Sequence, residues 1–220
     1  MTLNWKMTSY LWDLWTTPRM GQAAIATRAG KRLADLLTFA RSRSPFYQRL
    51  YRHLPPNCFE LAALPPVNKG QLMANFDDWV TDPRISRAEL DGFLADHSLI
   101  GHLFRDRYAV FTSSGTTGQP GIYLHDDQAQ SVYEALLAGR FDPQGLGSRA
   151  LARIGRRGFA MIAATGGHFA GTATWERWRR LNPTVAARVF SVALPVEELV
   201  DRLNDFQPAF LASYPSTIAL

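Results

Sequence analysis

Tyr108-Ala-Val-Phe-Thr-Ser-Ser-Gly-Thr-Thr-Gly-Gln-Pro-Gly-Ile-Tyr-Leu124 is the stretch on which the reading of this 220-residue chain turns. Tyr108–Thr112 is a β-prone run and Gly121–Leu124 reads as a return strand. Between them lies a loop of glycines and hydroxyls. Glycine lets the backbone turn tightly and approach a ligand with no Cβ in the way. Exposed amides in such a bend form a nest that attracts anions. Ser113, Ser114, Thr116 and Thr117 flank Gly115 and add neutral donors. One hydrogen bond to a charged phosphate oxygen contributes about 1.5–3 kcal/mol. Several would hold a triphosphate, with a metal ion sharing the charge. The competing reading is a polar surface hairpin.

Spacing excludes two other phosphate motifs. A Walker loop needs Gly, four residues, then Gly-Lys-Ser/Thr. Here two residues separate Gly115 from Gly118, and no Lys follows. Gly145-Leu-Gly-Ser-Arg-Ala150 matches a dinucleotide fingerprint in letters only. It precedes an expected strand instead of following one, and no Asp or Glu lies about 20 residues on.

Downstream, the pattern alternates. Helix is expected from Asp126 or Asp127 to about Arg140, then strands at Ala150–Ile154 and Phe159–Ala164. A helix at Thr172–Arg180, a strand at Val185–Val192, a helix at Pro195–Phe206 and a strand at Ala209–Ala212 follow. Such alternation indicates an α/β layer with largely parallel pairing. Upstream, helices dominate. Ala24, Ile25, Leu33, Leu36, Leu37 and Phe39 recur at helical spacing between Met20 and about Arg43. Ser44-Pro45 stops that helix and starts the next. Leu54-Pro-Pro56 and Leu64-Pro-Pro66 punctuate the chain, and a short helix lies near Lys69–Phe76. Ser86 with Glu89 predicts a capping box on a helix running to about His97. The expected fold is α/β: a mainly helical region over 1–105, then a partial mixed or parallel sheet flanked by helices over 106–220.

The composition is that of a globular chain, with 46% hydrophobic and 20% charged residues, which argues against wholesale disorder. Cys58 stands alone, so no internal disulfide exists, and a reducing cytoplasm is the simplest setting. No apolar run reaches the roughly 18 residues of a membrane span. The formal charge is +5, and it is concentrated. Between Phe141 and Phe190, eight arginines (149, 153, 156, 157, 177, 179, 180, 188) stand against Asp142 and Glu176. Such a field attracts a polyphosphate or nucleic acid, or is a solvated basic face. Three of the six tryptophans lie in the first fifteen residues, an aromatic arm that lacks a signal-like apolar core.

Other constellations are weak. His97 and His102 suit no helical zinc pair. His125-Asp126-Asp127 is better explained by helix capping. Nothing marks Cys58 as activated.

Ser113-Ser-Gly-Thr-Thr-Gly-Gln-Pro120 resembles the phosphate-binding signature of the adenylate-forming superfamily, which includes acyl- and aryl-CoA ligases, luciferases and peptide-synthetase adenylation domains. Phe39-Ala-Arg-Ser-Arg-Ser-Pro-Phe-Tyr-Gln-Arg-Leu-Tyr51, Leu64-Pro-Pro-Val-Asn-Lys69 and Asp205-Phe-Gln-Pro-Ala-Phe-Leu-Ala-Ser-Tyr-Pro-Ser216 are similar to the phenylacetate–CoA ligase branch. The resemblance runs in order from about Leu33 to Leu220. It implies the first half of the large N-terminal domain of such enzymes. It implies their reaction too: a carboxylate attacks the α-phosphate of Mg-ATP, pyrophosphate leaves, and a thiol, usually of coenzyme A, displaces AMP. By that resemblance Ser113, Ser114, Gly115, Thr116, Thr117 and Gly118 hold the β- and γ-phosphates, with Thr116 or Thr117 near the Mg2+. Gly167, His168 and Phe169 resemble the segment lining the acyl pocket, and Tyr214 a following wall. Core packing is the alternative for His168 and Tyr214.

The sequence also departs from the family. Gly121 stands where Lys often follows the proline. The aromatic-Gly-x-Thr-Glu segment, the ribose-gripping Asp, the hinge and the C-terminal catalytic Lys are not in these 220 residues. The expectation is a front half that cannot complete adenylation alone, with a second chain a possible complement. The alternatives are a non-catalytic adenylation-like module that binds a partner chain or nucleotide, and a nucleic-acid binder using Arg149–Arg157 and Trp175-Glu-Arg-Trp-Arg-Arg180.

Overall fold

The computed structural model describes residues 5–113, 115, 118–141 and 158–218. The expected strand at Ala150–Ile154 lies outside them. The helical part comprises α1 (Trp5–Thr16), α2 (Gln22–Arg43), α3 (Pro45–Leu50), α4 (Lys69–Ala74), α5 (Phe76–Trp79) and α6 (Arg87–Ala95). Local chemistry sets their ends. Ser44 ends α2 and caps α3, its Oγ accepting from Tyr47 N and donating to the Asp78 carbonyl at 3.0 Å. Capping boxes start α4 (Asn68 with Gln71) and α6 (Ser86 with Glu89), each satisfying two amides that the helix itself cannot.

Two small sheets follow. The first is antiparallel, in the order β1 (Leu103–Phe104), β2 (Tyr108–Thr112), β3 (Ile122–His125). Val110 pairs with Leu124 and Thr112 with Ile122. Arg105 and Asp106, both left-handed, close the turn from β1 to β2, where Arg107 N donates to the Phe104 carbonyl. Helix α7 (Asp127–Phe141) comes next and packs against α1. The second sheet is parallel, in the order β5 (Ala187–Ser191), β4 (Phe159–Ala163), β6 (Phe210–Ala212). The crossovers are α8 (Ala170–Leu181) and α9 (Val196–Phe206), and α10 (Pro215–Ile218) follows β6.

The strand period of two divides the faces of β4. Ala160 and Ile162 meet Phe190 of β5 and Leu199 of α9. Phe159 meets Trp175 of α8, with ring centroids 4.6 Å apart. Ala173 of α8 also packs on Ala109 and Phe111 of β2, so this helix lies between the two sheets. The largest core cluster draws Met73, Phe76, Ile85 and Leu90 together with Phe104, Tyr108, Val110 and Ile122. Residues from both sides of position 105 therefore share one core.

The expectation of a single partial sheet differs from the two sheets observed. The reason lies in the hairpin: β2 pairs with β3 antiparallel through the glycine loop, and no crossover helix separates them. No helix among the described residues is long and apolar enough to cross a membrane.

Candidate functional site

The loop leaves β2 at Thr112, and its base is closed from both sides. Ser113 N donates to the Gly121 carbonyl at 2.9 Å, and Gly121 N returns a bond to Ser113 Oγ at 2.8 Å. That leaves the Ser113 hydroxyl hydrogen for another acceptor. Further out, Gly118 N donates to the Gly115 carbonyl at 3.0 Å. Gly115 sits at φ +70° and Gly118 at φ +117°, the second a backbone that essentially only glycine adopts. A Cβ on Gly115 would stand 3.1 Å from both the Gly118 carbonyl and the Pro120 ring. Gly118, Gln119 and Pro120 are exposed, so the bend projects to solvent. Ser114, Thr116 and Thr117 lie outside the described residues.

The loop base is joined to the end of β4. Thr112 N donates to the His168 carbonyl at 2.8 Å, and Thr112 forms a parallel bridge with Phe169. The turn Ala164-Thr-Gly-Gly-His-Phe169 leads from β4 into α8, with Gly166 at φ +84°. Thr172 Oγ1 donates to the Ala164 carbonyl at 2.5 Å, and Ala164 N lies 3.4 Å from the Tyr214 hydroxyl. Strand β4 is central: the chain passes from it through α8 to β5 on one side and then returns through α9 to β6 on the other. The carboxyl ends of β4 and β6 therefore flank a topological switch point, where open α/β sheets take their ligands. Tyr214 is 47% exposed at that crevice. The nearby Ser213 Oγ is buried with no hydrogen-bond partner among the described residues.

Of the sequence candidates, Gly167, Phe169 and Tyr214 stand around this crevice, one residue step from the glycine loop. Gly167 packs directly under the Phe169 ring. His168 points elsewhere. It is 2% exposed, and its ring lies 5.1 Å from that of Phe93 in α6. Burial pushes its imidazole below the ordinary value, opposed by a hydrogen bond to the Asp96 backbone. Its Nε2 has no partner among the described residues. Sequence reasoning left core packing open for His168, but a His beside a glycine turn carries no mark of the direction its ring takes, here into the seam between helical part and sheet.

No three His, Cys, Asp or Glu side chains converge on a metal position among the described residues. In the basic segment, Trp175 is buried and stacked on Trp178, and Arg179 pairs with Glu176, the arrangement of an amphipathic helix covering a sheet. Arg149, Arg153, Arg156 and Arg157 lie outside the described residues. A groove of about 370 Å³ elsewhere, lined by Phe46, Arg49, Leu50, Arg52, His53 and Asn75, is wide open, and its Arg49 is already paired with Asp78. The chemistry-bearing turns lie away from it. No family model matches the chain, and neither a curated protein nor a solved structure matches it.

Proposed function

We propose that the loop from Ser113 to Gly118 grips the polyphosphate of Mg-ATP, and that the chain supplies the nucleotide-gripping front of an AMP-forming carboxylate–CoA ligase. The observation that carries this reading is the loop base. A reciprocal Ser113–Gly121 clamp presents a left-handed glycine turn at the solvent rim, beside the crevice of β4 and β6. The clamp fixes where Ser113 and the turn face before any ligand arrives. That lowers the ordering cost of binding and orients the phosphates for attack. Gly167, Phe169 and Tyr214 line the neighbouring space where the carboxylate substrate would lie. His168 acts by position, its carbonyl tying the turn to Thr112. By resemblance Thr116 or Thr117 would stand near the Mg2+, which would screen the triphosphate charge when bound. Coenzyme A is the acceptor implied by the family.

Thermal unfolding with Mg-ATP, Mg-pyrophosphate and AMP tests the proposal. ATP and pyrophosphate raise the midpoint and AMP raises it less, because the grip is on the β- and γ-phosphates. Gly115→Ala abolishes the difference. No stabilisation by either polyphosphate, or salt-sensitive binding of oligonucleotides tighter than ATP, refutes the reading.

A further inference from the structure

The hairpin and its neighbours leave α1 and α2 without a task. Six of the fourteen large hydrophobic side chains exposed among the described residues belong to this arm: Trp12, Trp15, Met20, Ile25, Leu36 and Phe39. Trp12 is 67% exposed and lies 5.3 Å from Trp15. On α2, Ile25, Ala29, Arg32, Leu36, Phe39 and Arg43 follow steps of four and three residues, so they share one stripe. Leu37 is the buried residue of this 22-residue helix, so most of its surface faces solvent. Residues 5–43 carry seven cations (Lys6, Arg19, Arg28, Lys31, Arg32, Arg41, Arg43) against Asp13 and Asp35. Asp13 pairs with both Arg28 and Arg32, tying α2 to α1.

We propose that the α1–α2 arm docks on an anionic lipid surface. Charge selects the partner. A second copy would bring another arm with the same excess of cations over residues 5–43, which like-charge repulsion opposes. A dry protein interface would strip water from Arg43 at the end of the apolar stripe, a cost that needs a matched anion. A headgroup layer supplies a phosphate to that guanidinium while Ile25, Leu36 and Phe39 enter the acyl boundary. Exposed tryptophans favour the same depth. Arg19, 4.0 Å above the Trp15 ring, sits where its charge stays among headgroups. The proposal is independent of nucleotide binding.

Flotation of the full chain with vesicles tests it, using phosphatidylcholine alone and an equal mixture with phosphatidylserine. Binding appears with phosphatidylserine and falls with salt. The double change Leu36→Asp and Phe39→Asp weakens it at least about tenfold. Arg43→Ala weakens it about fivefold. Trp12→Ala with Trp15→Ala gives a second, independent loss, and thermal melts confirm that each variant is folded. Absence of flotation overturns the proposal, as does flotation indifferent to phosphatidylserine or to every variant. Dimerisation lost in the same variants, without vesicle binding, assigns the face to a second copy instead.

Discussion

Tyr108 opens the strand that carries the glycine loop, and one bond ties it to the helical part. Its hydroxyl donates to Asp82 Oδ2 at 2.7 Å, and the residue is 8% exposed. Asp82 also receives Arg84 Nε at 2.9 Å, Arg84 Nη2 at 2.7 Å and the Arg84 backbone N at 3.1 Å. The Arg84 guanidinium first, then the Tyr108 hydroxyl, hold the Asp82 carboxyl well below the usual carboxylate range. Burial, and then Asp82, push the Tyr108 hydroxyl up. The two partners differ in energy because they differ in exposure. The Arg84 side chain is 66% exposed, so solvent screens its pairing heavily. A hydroxyl bond to a carboxylate held out of water contributes about 1.5–3 kcal/mol. Tyr108→Phe should therefore cost about 1.5–3 kcal/mol at neutral pH and Arg84→Ala clearly less. Because the folded carboxyl is depressed, its contribution is complete above the unfolded value of 3.8 and fades as pH falls toward the folded one. Urea unfolding across a pH series measures both. The gap between wild type and Tyr108→Phe should narrow below about pH 4. An Arg84→Ala cost equal to that of Tyr108→Phe, or a gap unchanged in acid, refutes the reasoning.

Three further outcomes concern the frame around the site. Gly158→Ala, at φ +80° with its new Cβ 2.5 Å from the Ala186 carbonyl, should lower stability by more than about 2 kcal/mol through backbone strain, read in the same urea assay. Asp106→Gly should raise the melting midpoint, since it relieves about 1 kcal/mol of left-handed backbone in the β1–β2 turn. Gly30→Ala, in the interior of α2 with nothing within 4 Å of the new Cβ, should add about 0.5–1 kcal/mol of helix stability, seen as a higher midpoint at unchanged cooperativity.

How much of this is legible in the sequence depends on whether the cause is local. Ser86 with Glu89 announces α6, and the structure has that capping box. The stop at Ser44-Pro45 separates α2 from α3 as expected, because the cap and the proline act within one turn. The run Tyr108–Thr112 is a strand with the expected bounds, and its return strand is Ile122–His125. Among the described residues the downstream helices and strands agree within two residues at each end; the strand expected at Ala150–Ile154 lies outside them. What escapes is set by distant partners. The two-residue strand Leu103–Phe104 exists because Tyr108 and Ala109 pair with it, and no propensity in two residues signals that. The division into two sheets, and the inward turn of His168 onto Phe93, depend on contacts between residues far apart in the chain. Arg105 and Asp106 carry no glycine to announce a left-handed turn. At the site, the glycine bend and its exposed rim are legible. The clamp between Ser113 and Gly121 is not, because a serine side chain declares no partner.

The amide of Thr112 has an unusual position. It lies inside one sheet's strand, yet its proton is held by the His168 carbonyl beyond the other sheet's β4. Its exchange with deuterium therefore clocks the parting of the two halves, while Phe111, whose amide turns toward β3 as that of Ser113 does, clocks the fraying of the hairpin. A molecule seated at the rim would slow the first clock more than the second, and the ratio of the two rates would register occupancy even if nothing visible moved.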